Sequence, residues 1–269
     1  MEKRMTPYVC LLAGLVLVSG LSGCKKAIED YLRDNPTAEY GFCQLKQFNY
    51  QLPTSGTAGT LPIAYDTMVF TYNAHGDPVT GFRPVPRTGN PNFILRYDRW
   101  DRLTDLIGTY GTNPDLSGGI ESWNRYTYDG QGRIVLDSVY NFPTIVDGHP
   151  GLGEHSSIVI ATYEYDPKNR VSKYSWGFVG DLNKFVSTYS YDADGNLVGT
   201  PHDNQINLHR TNKVWMFMDR DYSVNNPLTA AYTYNTRGLP VTIVPTAGTE
   251  MDFFNSLQYE KADVKYTCK

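Results

Sequence analysis

The chain has little cysteine and no large excess of charge of either sign. Only 4 of its 269 residues are cysteine, and none is spaced as in CxxC or Cys/His zinc sites, which argues against a metal or redox centre. Its 24 basic and 28 acidic residues give a net charge of −4, which does not favour nucleic acid as a partner. No HExxH or GxSxG motif occurs. We therefore expect no catalytic residues, no cofactor and no metal, in a protein that is not an enzyme.

Long apolar runs are missing beyond the first residues. After residue 24 no run approaches the ~18 residues of a membrane-spanning helix. The apolar stretch at residues 8–18 follows two basic residues, as in an export signal. It ends in LSGC, which resembles the bacterial lipobox; this resemblance implies removal of the signal peptide 1–23 and acylation of Cys24. By the same resemblance Lys25, the residue after the acylated cysteine, favours sorting of the lipoprotein to the outer membrane, where it could be attached to either face. An ordinary signal peptide with an incidental cysteine is the alternative.

Two cysteines remain after this processing, Cys43 and Cys268. Two thiols left in an exported protein are typical of one disulfide. The bond would close nearly the whole mature chain and clamp its first strand to its last. Two unpaired thiols are the alternative.

One phrase recurs six times, as in RYTYDGQGRIVLDSVY. The copies align on a tyrosine: Tyr72, Tyr97, Tyr128, Tyr165, Tyr191 and Tyr234. The next residue is always Asn or Asp: Asn73, Asp98, Asp129, Asp166, Asp192 and Asn235. Three positions further on is a residue that tolerates positive φ: Gly76, Asp101, Gly132, Asn169, Gly195 and Gly238. An Asx side chain that accepts a backbone N–H, closed by such a residue, predicts a tight turn.

The flanks of each copy alternate between apolar and polar residues, so each copy predicts a β-hairpin with one buried face. In two copies Pro78 and Pro240 take the apolar position after the turn, and we expect edge-like or bulged arms there. The copies are unevenly spaced, which places the variation in the connections between hairpins. These connections would form one rim of the sheet, and that rim is the favoured place for function.

The repeated phrase resembles the YD repeat, also called the RHS repeat, most closely in TYDGQGRI and SYDADGNL. The resemblance covers most of residues 65–265 and implies a long antiparallel ribbon that can curl. Together with the lipobox it resembles surface lipoproteins of the Bacteroidota, which implies a location and a fold but no activity.

We predict an all-β domain over residues 41–269, an antiparallel meander of six to seven repeated hairpins in a twisted and curled sheet. A degraded seventh copy lies around Tyr259, and a two-sheet sandwich is the alternative. Residues 24–40 would be a tether with a short helix at 27–34.

Candidate binding residues are few. The stretch 192–196, DADGN, fits turn chemistry better than a calcium loop, because the later EF-hand positions do not match. The five histidines all lie in predicted turns or connections and are expected to be exposed. Trp100 is at a turn tip and Trp123 has the parity of the polar face, so both are candidates for stacking on a sugar ring. Coverage by another strand or loop is the alternative.

Two functions follow from these features. The first is a non-catalytic outer-membrane lipoprotein that binds glycan or another cell-envelope ligand. The alternative is a structural or assembly lipoprotein that binds a protein partner, for example by strand addition at a sheet edge.

Overall fold

The computed structural model describes residues 26–28, 30–51, 65–114, 116–246, 251–253 and 257–269. The predicted signal peptide and Cys24 lie outside these residues. The strands are β1 Cys43–Gln51, β2 Tyr65–Tyr72, β3 Pro78–Phe82, β4 Asn92–Tyr97, β5 Leu103–Thr109, β6 Ile120–Tyr128, β7 Ile134–Asn141, β8 Thr144–Val146, β9 His149–Gly151, β10 Ser157–Tyr165, β11 Val171–Phe178, β12 Phe185–Thr188, β13 His202–Ile206, β14 Asn225–Pro227, β15 Ala230–Tyr234, β16 Pro240–Pro245, β17 Met251–Phe253, β18 Leu257–Tyr259 and β19 Lys261–Cys268. The helical parts are residues 26–28 and 30–34, the 3₁₀ helix Leu208–Thr211, and the helix Lys213–Asp219, called here the inner helix.

Thirteen strands form one antiparallel sheet in the order β12-β11-β10-β7-β6-β5-β4-β3-β2-β1-β19-β16-β15. The sheet follows the chain back from β12 to β1, and the C-terminal strands continue it on the far side of β1. The predicted all-β antiparallel meander is therefore confirmed. In the part of the chain described, β12 and β15 are the two ends of the sheet and do not pair with each other.

The repeated phrase forms the predicted turns. In the third copy the Asp129 carbonyl accepts from the Gly132 N–H at 3.1 Å, and Asp129 Oδ1 accepts from the backbone N–H groups of Gln131 and Arg133, both at 2.9 Å. The closing residues all have positive φ: Gly76, Asp101, Gly132, Asn169, Gly195 and Gly238. We call the end of the sheet that carries these turns the turn rim, and the opposite end the connection rim.

The fifth copy makes only the turn and an isolated bridge between Tyr191 and Leu197. Its second arm does not continue as a strand of the large sheet. The chain instead leaves the sheet and enters the segment that contains the inner helix. The uneven spacing of the copies thus includes one long excursion into the interior.

The two prolines do not mark sheet edges, which corrects part of the expectation. Pro78 begins β3, which pairs with both β2 and β4, and Pro240 begins β16, which pairs with β15 and β19. The register shifts opposite each proline, next to Tyr72 and Tyr234, but the same shift occurs in the second, third and fourth copies, which have no proline there. Both prolines are buried. As the first residue of a strand, a proline leaves the following donors of the ladder intact.

Neighbouring hairpins are joined by the repeated tyrosine. The Tyr128 hydroxyl donates to the Leu103 carbonyl of the preceding hairpin at 2.7 Å. Arg133 makes a two-point contact with Asp129 and lies 5.0 Å from the ring centroid of Tyr165 in the next copy. The same hydroxyl bond recurs from Tyr72 to Leu45, Tyr97 to Pro78, Tyr165 to Ile134 and Tyr266 to Pro240. The Asp–Arg turn occurs in the second, third and fourth copies, and in these copies it packs on a tyrosine of the following copy.

In the predicted seventh copy, the tyrosine that makes the repeated hydroxyl bond is Tyr266. The sequence pattern centres this degraded copy on Tyr259 instead. Tyr266 donates to the Pro240 carbonyl at 2.7 Å. Tyr259 instead packs edge-on against Phe48 in the core, with ring centroids 5.2 Å apart.

The inner helix lies inside the curve of the sheet and builds the main core. The Asn212 side chain caps it by accepting from the Val214 N–H at 2.8 Å. Trp215 is buried and meets Phe70 edge-on at 5.5 Å, and Phe217 packs on the neighbouring cluster. Five consecutive residues of this short helix are buried, so tertiary packing stabilises it.

The N-terminal helix is fixed at the turn rim, and residues 30–34 are helical as predicted. Leu32 is buried in a cluster with Cys43. The buried Arg210 guanidinium donates to the carbonyls of Leu32 at 2.6 Å and Pro36 at 2.7 Å.

Cys43 and Cys268 form the predicted disulfide, which joins β1 to β19. No helix among the described residues is long and apolar enough to cross a bilayer.

Candidate functional site

Trp123 is fully buried, so the expectation that its indole is exposed is wrong. It lies on the outer face of the sheet, as its parity predicts, but it is covered there. Its Nε1–H donates to Asp105 Oδ1 at 2.7 Å, and the Arg96 guanidinium lies 5.0 Å from its ring. Ile107 packs beside it in a small outer cluster. Trp123 is thus a structural residue and offers no ring face to a ligand.

Trp100 is exposed, as predicted, at the tip of the turn between β4 and β5. The guanidinium groups of Arg99 and Arg102 lie 4.0 and 4.9 Å from its ring. Trp100 lies on the turn rim and Trp123 lies in the middle of β6, so the two tryptophans do not form one surface.

A cavity of about 520 Å³ lies between the inner face of strands β4–β7 and β10–β12 and the C-terminal end of the inner helix. We call it the inner cavity. Its lining includes Asn124, Asp137, Tyr174, Trp176, Tyr189 and Arg220. Pro91, Glu121 and Asn141 also line it, and they place its outer part at the connection rim. The volume falls within the roughly 300–1,000 Å³ of small-molecule sites.

The inner cavity exists because the inner helix fills only the half of the concave face that lies near the turn rim. Strand register places Tyr126, Asp137, Ala161, Trp176 and Phe185 in one row across five adjacent strands. Beyond this row the sheet lines the cavity with polar side chains such as Ser122 and Asn124 and with apolar ones such as Val139 and Val159. The sheet thus supplies a floor of mixed polarity, and the end of the helix supplies one wall.

Asp137 is the buried acid of this floor, with only 4% of its surface exposed. Its Oδ2 accepts from the Asn124 amide at 2.8 Å, while Oδ1 has no hydrogen-bond partner among the described residues. Burial raises the pKa of Asp137 to about 7; the Asn124 hydrogen bond, the positive charge of Arg220 and a backbone hydrogen bond from Arg125 oppose this rise. A buried carboxyl group whose Oδ1 has no hydrogen-bond partner among the described residues therefore lines the cavity.

Arg220 contributes the positive charge. It ends the inner helix in the left-handed conformation, with φ 54°. Its guanidinium lies 4.5 Å from the Tyr174 ring and lines the cavity. Helices most often end with glycine in this conformation, so the arginine carries a backbone cost of about 1 kcal/mol.

Trp176 supplies the aromatic wall opposite Asp137. It stacks on Phe185 with ring centroids 4.5 Å apart and planes 20° apart. Phe185 belongs to the edge strand β12, so this stacking covers the indole face nearer the sheet edge. Trp176 also packs against the inner cluster that contains Ala161, Tyr163 and Phe217.

His209 is not an exposed loop histidine, which corrects the expectation for that residue. Only 14% of its side chain is exposed, Nε2 lies 2.8 Å from Asp219, and Nδ1 lies 3.4 Å from Asp221. Burial alone would lower the pKa of His209, but its bonds to the two aspartates raise that pKa to about 10. This buried ion cluster joins the 3₁₀ helix to the end of the inner helix and has a structural role.

The stretch 192–196 is a turn, as predicted. Asp192 Oδ1 accepts from the Asn196 N–H at 2.9 Å, and the Asp192 carbonyl accepts from the Gly195 N–H at 3.2 Å. Across the described ranges, no three His, Cys, Asp or Glu side chains lie together as metal ligands would.

No family model and no curated protein matches this chain. Among solved structures, the TcdB2-TccC3-Cdc42 complex matches with a TM-score of 0.28 and 14% identity, over 71% of this chain and 10% of that chain. A porin-like protein from Bacteroides uniformis ATCC 8492 matches with a TM-score of 0.30 and 12% identity, over 84% of this chain and 98% of that chain. The chain thus spans about a tenth of the length of the first match. Likeness at this level carries no conclusion about function.

Proposed function

We propose that this chain is a non-catalytic lipoprotein of the outer membrane whose β-repeat domain binds a sugar-containing ligand of the cell envelope in the inner cavity. The supporting observation is the buried Asp137, whose Oδ1 has no partner among the described residues and which lines a cavity with aromatic walls. A buried acceptor without a donor costs free energy, and a sugar hydroxyl would provide the donor. Aromatic rings bury the C–H face of a sugar while amides and charged groups bind its hydroxyls.

The position of the N-terminal helix supports an orientation for this lipoprotein. Arg210 fixes residues 32–36 to the turn rim, and Cys24 precedes the described helix by two residues. A lipid on Cys24 would therefore hold the turn rim next to the membrane. The connection rim, where the outer part of the cavity lies, would then face away from the bilayer.

A binding experiment tests the sugar proposal. The full mature chain is titrated with a panel of envelope oligosaccharides by calorimetry, in parallel with the variants Asp137→Ala and Trp176→Ala. We expect both variants to lose at least tenfold in affinity, and the exposed aromatic control Tyr31→Ala to bind as the native protein does. Loss of binding in Trp100→Ala with retained binding in Asp137→Ala would place the site at the turn rim and refute the proposal. The proposal is also refuted if none of the oligosaccharides binds to the native protein.

Localisation is tested separately in cells. Metabolic labelling with a fatty acid should mark the native chain but not Cys24→Ala, and the labelled protein should fractionate with the outer membrane. Protease treatment of intact cells, with a periplasmic control protein, then shows which face carries the domain. An unlabelled native chain would refute the lipid anchor.

A protein partner at the edge strand β12 is a second candidate function. The hairpin of β11 and β12 exposes large apolar side chains at Phe178, Val179, Leu182, Phe185 and Val186. Exposed apolar edges are favoured sites for strand addition. A photo-crosslinker at Val186 should capture an envelope protein in cells, and Val186→Lys should abolish the complex without changing sugar affinity.

A further inference from the structure

Trp100 is the exposed tryptophan that the inner cavity leaves without a role. It stands on the turn rim at the tip of the second copy's turn, and 60% of its surface is exposed. The Arg99 guanidinium lies over its ring, 4.0 Å from the centroid, and that of Arg102 lies 4.9 Å away. A ring face that a guanidinium already covers cannot stack on a sugar. Trp100 therefore suits a partner that takes the edge of the indole together with a cation.

The N-terminal helix lies along the same rim. Its first described residue, Lys26, lines a cavity with Asp194 in the turn of the fifth copy. After the helix, Thr37 lines a groove with Asp101, the residue next to Trp100. Cys24 precedes Lys26 by two residues, which span at most about 7 Å. A lipid on Cys24 therefore holds the turn rim close to the surface of the bilayer.

We infer that Trp100 is a membrane contact of this domain. The edge of its indole enters the headgroup region of the phospholipid bilayer to which Cys24 is attached, and Arg99 binds a lipid phosphate there. This inference rests on the lipid anchor of the proposed function and not on its sugar site. Tryptophan is enriched at membrane–water interfaces, because its ring is apolar while its N–H bonds to polar groups. The domain then stands on the membrane by its turn rim instead of moving freely on its anchor.

Two further aromatic side chains are exposed on this rim. Tyr31 on the N-terminal helix is 56% exposed, and Phe42, directly before β1, is 55% exposed. The Phe42 carbonyl accepts from the Lys269 N–H at 2.9 Å, so the start of β1 and the end of β19 meet there. The turn rim thus carries exposed aromatic rings on a turn, beside its first strand and on its helix.

The charges of the turn rim nearly cancel around Trp100. The turns of the second, third and fourth copies each contain an Asp–Arg ion pair: Asp98 with Arg102, Asp129 with Arg133, and Asp166 with Arg170. The same turns add the exposed cations Arg99 and Lys168 and one further acid, Asp101. We therefore expect the contact to depend on the indole more than on the fraction of anionic lipid, since every phospholipid offers a phosphate to Arg99.

Quenching by brominated lipid tests the inference. The acylated native chain and Trp100→Phe are placed in vesicles of phosphatidylethanolamine and phosphatidylglycerol, with and without bromine near the headgroup end of the acyl chains. Bromine quenches only the tryptophans that reach the lipid, and Trp123 and Trp215 are buried in the fold. We expect the quenched emission of the native protein to exceed that of Trp100→Phe at least twofold. Equal quenching of the two proteins would overturn the inference.

A tryptophan on the opposite rim provides the matched control. Leu182, between β11 and β12, is fully exposed on the connection rim. Leu182→Trp in the Trp100→Phe background should be quenched no more than its parent, and stronger quenching there would reverse the orientation and overturn the inference. Either of these failures in an acylated chain leaves the lipid anchor and the sugar site of the proposed function standing. A native chain that takes up no fatty acid would remove the anchor, and with it both the proposed function and this inference.

Discussion

Replacing Asp137 with asparagine should change how the stability of the fold depends on pH. The pKa of Asp137 is raised by burial from an ordinary value of 3.8 to about 7, so between these pH values the folded chain holds a proton that the unfolded chain has lost. The free energy of unfolding of the native protein therefore falls as pH rises through this window. The difference of about 3 pKa units corresponds to about 4 kcal/mol, at ~1.4 kcal/mol per unit.

Asparagine has nearly the same shape as aspartate and does not titrate. The free energy of unfolding of Asp137→Asn therefore does not fall with rising pH in the way that the native protein's does. The stability of Asp137→Asn relative to the native protein should increase by about 4 kcal/mol between about pH 4 and pH 8, with most of the change below pH 7. Any constant effect of the amide on packing cancels in this comparison, because only the pH dependence is read.

Urea unfolding of both proteins, followed by tryptophan fluorescence at pH intervals from about 4.5 to 8.5, measures this difference. Carboxyl ¹³C NMR of the folded native protein gives the pKa of Asp137 directly. A stability difference that stays constant across the pH range, or a carboxyl that titrates near 4, would refute the argument that Asp137 is held in the cavity at a cost. A neutral sugar that donates a hydroxyl to the carboxylate should lower the measured pKa.

Three further predictions concern the scaffold. Tyr128→Phe removes the hydrogen bond to the Leu103 carbonyl and should lower the free energy of unfolding by about 1 kcal/mol, measured with urea. His209→Gln leaves Asp219 and Asp221 without their cation and should cost about 3–5 kcal/mol near pH 6. Because the pKa of His209 is raised to about 10, this contribution is complete below about pH 6.5 and is lost as pH rises through 10, so the two proteins should converge in alkaline buffer. Reduction of the disulfide, which spans 225 residues, should lower stability by at most about 5 kcal/mol and lower Tm measurably.

The hairpins were predictable because each turn is encoded locally. An Asx residue, a residue with positive φ three positions later and alternating flanks are enough to fix a turn and the two faces of its arms. Even the fifth copy, which forms no full hairpin, keeps the turn at Asp192 and Gly195. Whether a second arm then pairs with a strand or leaves the sheet depends on distant residues, and no local pattern reports it.

The inner helix was not predictable from the same kind of signal. Its seven residues, KVWMFMD, show no polar face, because five of them are buried in succession. A helical alternation of apolar and polar residues arises only when one face of the helix is exposed to solvent. A short helix enclosed by a sheet has no such face. This apolar run is consistent with the burial of Trp215, but it does not specify the secondary structure that buries it.

The same geometry explains why face parity did not reveal that Trp123 is buried. Parity assigned Trp123 to the outer face correctly, yet Ile94, Ile107, Ile120 and other residues form a second, outer cluster that buries it. Asp137 faces inward opposite Tyr126, and a charged residue at an inward position was the one sequence signal of the site. In a flat two-layer protein an inward carboxylate would be a packing fault. In a curled sheet whose helix covers only half of the concave face, inward residues beyond the helix line a cavity, and a carboxylate there is available to a ligand.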